Sequence, residues 1–416
     1  MKKYNIMKKY NILMGILFLL ISSLVSAQDD LNRYLQTAAE NNPGLKARFN
    51  DYMAALEVAP QVKALPDPQL AFGYFIQPVE TRVGPQQFKI SASQMFPWFG
   101  TLKAKENVAI QMAKAKYEVF EEAKSKLFND VKSTYYNLYF TAKAILVTDE
   151  NLTLLNSFQK LALVKVEAGM VSVVDEYRIE MEIGDLVNQL ALLKDKYRSL
   201  EVMFNNLINT DSASHVELPQ QLWDSEPGLE KEKIRDSIMA QNHQLLNLDL
   251  QAESLRYKEE IARLAGKPDF KIGFDYTIIG KGEKNLAGTD AIMLPTVGMT
   301  LPLFRNKYKS MLNEAVYMET AKKEEKINKQ NVLETVFEQT WKDFADAKRR
   351  VSLNEKQADL ARKSLKLLET EYVTNSRNFE EILRMERKLL TYELELEKAR
   401  SEKQAAISFF SYLMGN

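Results

Sequence analysis

Apolar positions recur at heptad spacing along much of this chain. Ile179, Ile183, Leu186, Leu190, Leu193, Tyr197, Leu200, Phe204 and Leu207 alternate intervals of four and three without a slip. The spacing returns at Met385, Leu389, Tyr392, Leu396, Ala399, Lys403, Ala406, Phe410 and Leu413, where only Lys403 departs from the apolar pattern. A 3.5-residue period sustained this long predicts helices packed as left-handed coiled coils. The segments before them carry shorter seams: Val131, Thr134, Leu138, Thr141, Ile145, Thr148, Leu152 and Leu155 in one, Ala358, Ala361, Leu365, Leu368 and Tyr372 in the other. Neither Thr101 to Ala168 nor Leu303 to Met414 contains a proline or glycine. Both stretches predict rods much longer than the usual three-turn helix; about 65 helical residues reach about 100 Å.

A period of two governs four other runs. Leu70, Phe72, Tyr74 and Ile76 oppose Gln69, Ala71, Gly73 and Phe75, and Phe88, Ile90, Ala92 and Phe96 oppose Lys89, Ser91, Ser93 and Met95. Further on, Phe270, Ile272, Phe274, Tyr276 and Ile278 oppose Lys271, Gly273, Asp275 and Thr277; Met293, Val297, Met299 and Leu301 then oppose Thr296, Gly298 and Thr300. An apolar face backed by small or charged residues suits strands with lipid on one side and water on the other. A half-buried soluble hairpin produces the same alternation. Phe72, Tyr74, Phe96, Trp98, Phe274 and Tyr276 are the candidate membrane-interface aromatics. For Trp98, which follows Pro97, packing at the strand–helix joint is an equal alternative.

The chain repeats itself. Pro66-Asp67 opens the first alternating pair and Pro268-Asp269 the second; each pair closes on a proline followed two residues later by Phe, at Pro97 and Phe99, then Pro302 and Phe304. Long helical segments follow both. The expected fold class is therefore mainly α with two β-hairpins, internally duplicated. One repeat covers 28–208 with its hairpin at 69–96, and the other covers 229–416 with its hairpin at 269–301. A connector over 209–228, holding Pro219 and Pro227, separates them. Between the long helices of the first repeat, Gly169 suits a left-handed C-cap and Ser172 an N-cap. In the second repeat Asn375 and Ser376 stand at the corresponding turn.

Composition narrows the function. Basic Lys2, Lys3, Lys8 and Lys9, an apolar stretch from Ile12 to Val25 and small residues at Val25-Ser26-Ala27 predict a signal peptide over 1–27. Its removal takes four lysines and no acid from a precursor of formal net charge zero, leaving a mildly acidic chain unsuited to general nucleic-acid binding. The absence of cysteine excludes disulfides, thiolate metal sites and Cys nucleophiles. His215 and His243 are the only histidines, and no set of metal-ligand spacing, phosphate loop or nucleophile elbow accompanies them. No enzyme, cofactor or metal site is expected. His243, at a helix start, is expected at the surface or in a cap.

Four strands in two hairpins cannot close a barrel, and strands in lipid cannot leave edges unpaired. If the hairpins enter a bilayer, several copies must complete one cylinder, with seamed antiparallel rods as its extension. Here the chain resembles the outer-membrane efflux protein (TolC) family. The resemblance rests on two helices opening at Asn42 to Leu45 and Asn242 to Leu245 and ending before Pro-Asp, on the proline-terminated hairpins, and on the turn from Ala168 to Tyr177. It covers Asp29 to Asn416, and the duplicated order of these features carries it.

The resemblance implies a homotrimer in the outer membrane of a Gram-negative bacterium. Twelve shared strands would form a β-barrel and the long helices a periplasmic α-helical tunnel. It implies a passive exit duct, joined through a periplasmic adaptor to an inner-membrane pump. The family's adaptor-docking turns fall on Gly169, Met170, Val171, Ser172 and Val173 and on Asn375, Ser376, Arg377 and Asn378. Its acidic constriction falls on Asp175 and Glu381, with Glu380 adjacent. The second acidic position of the family is Arg178 and Arg384 here, so an arginine–carboxylate network replaces a doubled acidic ring. The competing readings are a periplasmic adaptor, whose glycine-rich short-strand domains this chain lacks, and a coiled coil without a pore, which leaves the aromatic hairpins unexplained.

Overall fold

The computed structural model describes residues 30–170, 172–282, 290–375 and 379–416; the predicted signal segment 1–27 lies outside them. A helix through residues 30–41 (α1) is followed by α2 (Pro43–Leu56) and α3 (Val58–Lys63), then strands β1 (Gln69–Tyr74), β2 (Glu80–Thr81) and β3 (Gly84–Phe96). The long helices α4 (Thr101–Glu167) and α5 (Val173–Ile208) come next. Beyond the connector the order is α6 (Lys231–Gln241), α7 (His243–Leu264), β4 (Phe270–Ile279), β5 (Ala291–Met299), α8 (Arg305–Asn375) and α9 (Phe379–Leu413). Helices α4 and α8 run for 67 and 71 residues, as their freedom from breakers predicts. Among the described residues no helix is long and apolar enough to cross a membrane.

The chain divides into two compact units. The first takes Met1–Ala47, Glu121–Asn242 and Asn331–Asn416, and the second takes Arg48–Phe120 and His243–Gln330.

In the first unit both heptad seams face inward: none of their positions is exposed. Leu155, Phe158, Ile179, Leu186, Leu365, Ile382 and Leu389 form one buried cluster drawn from α4, α5, α8 and α9. The seam's departing residue has a structural reason. Lys403 is 4% exposed, and its Nζ donates to Asp224 Oδ1 at 2.6 Å and Glu226 Oε1 at 2.9 Å. Gln404 Nε2 beside it donates to the Trp223 carbonyl at 2.8 Å. The connector thus grips α9 at the one seam position that is charged. Burial works to lower the Lys403 pKa, but the bonds to Asp224 and Glu226 outweigh it and hold the ammonium above its ordinary value.

The two Asn-x-x-Leu openings do matching work. Asn42 breaks the chain between α1 and α2; its Oδ1 accepts from Leu45 N at 3.0 Å, an N-cap, while Pro43 fills the first helical position. Its Nδ2 donates to the Leu207 carbonyl at 2.9 Å, and Asn242 Nδ2 donates to the Leu413 carbonyl at 2.9 Å. Those carbonyls lie in the last turns of α5 and α9, where no intrahelical donor remains. Leu45 and Leu245 are both buried. Asn42→Ala loses the cap and the link to Leu207 together, and should destabilise the protein by about 1–2 kcal/mol. A denaturation midpoint unchanged from wild type would show that the contact is idle.

The second unit carries the sheet, antiparallel throughout in the order β1-β3-β4-β5, with β2 paired to the start of β3. The two predicted hairpins are therefore one sheet, joined where β3 pairs β4 from Phe96↔Phe270 to Gln86↔Ile279. The segment between β1 and the body of β3 is itself partly paired, as β2 and the first residues of β3. One expectation is corrected. Met293 was placed with Val297 and Met299, but the register shifts between Gly273 and Asp275, where β5 holds an extra residue at Leu294-Pro295. Proline offers no N–H to the ladder and is tolerated at a bulge or an edge. The shift reverses parity, so Ile292 stands opposite Tyr276 on the apolar face and Met293 opposite Asp275 on the polar one. His243 also differs from expectation. It is largely buried, with Nδ1 2.7 Å from Glu118 Oε2.

Candidate functional site

The first candidate region is the turn between α4 and α5 and the facing start of α9, all in the first unit. The α4 helix ends through Gly169, whose φ of 69° is left-handed; Met170 N donates to Lys165 O at 2.8 Å and Gly169 N to Val166 O at 2.9 Å. Ser172 caps α5, its hydroxyl accepting from Val174 N at 3.2 Å. Both caps are as the sequence predicts. Met170, Ser172 and Val173 are exposed beside Gly169. Val171, Ser376, Arg377 and Asn378 lie outside the described residues, and Asn375 is the last residue of α8.

The predicted charged residues are brought together in part. Arg178 Nη1 lies 3.4 Å from Asp175 Oδ1 on its own helix and 3.4 Å from Glu380 Oε2 on α9. Arg384 pairs with Glu381, one turn earlier on α9. The Arg–carboxylate network read from the sequence thus joins α5 to α9 through Arg178, while Glu381 and Arg384 pair locally. A second bridge between the same helices, from Arg387 to Glu182, escaped the sequence reading.

Two buried groups nearby also escaped it. Lys165, in the last turn of α4, contacts Tyr372 of α8. Glu386 of α9 is 2% exposed; Asn151 Nδ2 donates to its Oε1, and its Oε2 has no hydrogen-bond partner among the described residues. Burial, with the charges of Glu369 and Glu393, pushes the Glu386 carboxyl up to about 7 against the opposing bond from Asn151. The available signal was position: Leu155, Phe158, Ala162 and Lys165 continue the α4 seam by steps of three and four, so a lysine there had to be buried.

The second candidate region is the sheet, in the second unit. Its register stacks Phe72, Ile90, Tyr276 and Ile292 in one cross-strand row, with Tyr74, Phe88 and Ile278 in the next. This apolar face is open: Phe72 is 64% and Tyr74 75% exposed, and Phe274, Val297 and Met299 are also exposed. On the other face Ser91 Oγ donates to Asp275, and Lys89 Nζ lies 3.3 Å from the same carboxylate. Strands β1 and β5 are the edges of the path, each paired on one side only. Phe96 pairs with Phe270. Trp98 takes the joint: its ring stacks on Phe270 at 5.7 Å, and its backbone N–H donates to Asp269 Oδ1 at 2.9 Å. Asp269, from the Pro-Asp motif, also receives Thr300 N on its carbonyl at 3.0 Å.

No protein-family model and no curated protein matches this sequence. Solved structures share its fold. A membrane protein from Pseudomonas aeruginosa gives a TM-score of 0.78 at 15% identity, covering 92% of this chain and 93% of that one. The outer membrane protein VceC from Vibrio cholerae gives 0.75 at 16% identity, covering 94% and 98%. The open state of the Neisseria gonorrhoeae MtrE outer membrane channel gives 0.72 at 15% identity, covering 93% and 89%. The mainly helical fold of this chain is the fold of those membrane proteins over nearly its whole length.

Proposed function

We propose that the chain is one subunit of a passive trimeric outer-membrane duct, a member of the outer-membrane efflux protein (TolC) family. The single observation that carries the reading is the open sheet. Four strands expose an apolar face and leave two edges bare, a state that lipid does not tolerate until the edges are paired. If β5 of each copy pairs with β1 of the next, three copies close a twelve-stranded barrel. Its apolar face then meets lipid, while Ser91, Lys89 and Asp275 line water. The shared fold supports this arrangement, and the matching Asn42 and Asn242 contacts support an internally duplicated chain with repeats over 28–208 and 229–416.

In this reading residues 1–27 direct export, and the long helices of three copies form a periplasmic tunnel. The exposed Gly169, Met170, Ser172 and Val173, with Val171 and residues 375–378, are the docking turns for a periplasmic adaptor that joins an inner-membrane pump. Asp175, Arg178, Glu380, Glu381 and Arg384 border the tunnel's narrow end. The chain brings no energy source of its own; it has no phosphate-binding loop.

The test is fractionation followed by electrophysiology. The protein should be recovered with the outer membrane as an oligomer that survives SDS without heating, and should give discrete conductance steps in a planar bilayer. Release as a monomer with the soluble periplasm would refute the reading.

A further inference from the structure

We propose that Lys165 is the residue that fixes the helical tip, as a positioning residue for the acidic side chains at the start of α9. This deepens the duct reading and rests on it for its functional meaning. Lys165 stands at a seam position yet is a lysine, and it is only 7% exposed. A buried ammonium is costly unless it is hydrogen-bonded. Its Nζ donates to the Tyr372 carbonyl at 2.5 Å and sits 4.2 Å from the centre of the Tyr372 ring.

The acceptor is informative. Helix α8 ends at Asn375, so the Tyr372 carbonyl is among the last four, which have no donor within the helix. These carbonyls form the negative end of the helix dipole. Lys165 itself lies in the last turn of α4. One positive charge therefore serves the negative ends of two long helices at once. The constraint passes onward: Tyr372 is fully buried, with its ring 5.2 Å from that of Phe379, the buried first residue of α9. Glu380 and Glu381 follow directly in sequence.

The exposed contacts cannot match this. Arg178 and Glu380 are 3.4 Å apart, but their side chains are 40% and 76% exposed. Solvent and salt screen such a pair, and exposed pairs contribute little. Burial decides which contact holds the tip.

The test compares Lys165→Met, Lys165→Arg and Arg178→Gln in the full chain, by hydrogen exchange over 366–372 and 380–386 and by single-channel conductance. Lys165→Met should speed exchange in those segments about tenfold and raise mean conductance about twofold. Lys165→Arg, which keeps the charge and the donor, should remain near wild type in both measurements; Arg178→Gln, compared by exchange alone, should change the rate by no more than about twofold. Should Lys165→Met fail to fold, Tyr372→Leu keeps the carbonyl, removes the ring, and should still speed exchange at 380–386. Exchange at the wild-type rate in Lys165→Met, or an equal effect from Arg178→Gln, overturns the proposal. A wild-type protein that forms no channel rejects the duct instead, and exchange still decides the role of Lys165.

Discussion

Replacing Ile90 by arginine should abolish assembly in the outer membrane. Ile90 lies on β3, between Phe72 of β1 and Tyr276 of β4, in the middle of the apolar face. If that face meets lipid, an arginine near the bilayer midplane costs about 2–4 kcal/mol per copy, and a trimer pays it three times. Gln69→Arg, on the opposite face of β1, keeps its charge in water and should be tolerated. The measurement is the yield of SDS-resistant oligomer from outer membranes. Equal tolerance of both changes would mean that the apolar face is not a lipid surface, because a half-buried isoleucine at a water-facing surface can let an arginine side chain reach solvent at modest cost.

The second large effect is a pH dependence centred on Glu386. Its carboxyl is raised from 4.5 to about 7 in the folded protein, chiefly by burial. Between those two values the unfolded chain has released its proton and the folded chain retains it. Stability therefore falls as pH rises through this window, and the loss stays in full above pH 7. A shift of this size corresponds to about 3 kcal/mol. Glu386→Gln keeps a partner for Asn151 but cannot ionise. It should match wild type near pH 4.5 and exceed it in stability at pH 8. Melting of the detergent-solubilised oligomer at both pH values checks this. Parallel profiles for variant and wild type would show that the charge of Glu386 does not oppose folding.

Much of the fold is legible because its determinants are local. Breaker-free stretches and heptads specify rods wherever they occur, and Gly169 and Ser172 mark a helix end and a helix start by backbone requirements that few other residues meet. The pairing of β3 with β4 is not local. Ser91 and Asp275 are 184 positions apart, and each hairpin taken alone gives no indication of the other. Alternation also failed at one point for a readable reason: Pro295 marked the bulge, but counting every second residue carried parity through it and put Met293 on the wrong face.

The tip shows the same limit. Asp175, Arg178 and Glu380 are located only through the family resemblance, which carries them over from the helix turns, and Arg178 does join them. Lys403 reads as an imperfection in an otherwise apolar seam and Lys165 goes unmarked, since their partners lie on the connector and on α8. The Asn-x-x-Leu motif was visible as a recurrence, but its purpose was not, because Asn42 acts on a carbonyl 165 residues away.

The charged notch at position 403 limits how the rods can move. Helices whose contact stripes are wholly leucine-like can slip past one another by a heptad, about 10 Å, and recover equivalent packing. A slip of α9 would drag the buried Lys403 away from Asp224 and Glu226 and leave its ammonium without those acceptors. Axial travel is therefore indexed to a single stop. If three copies line a duct, its bore must change by bending or swivelling of α9 and not by an axial stroke past the connector.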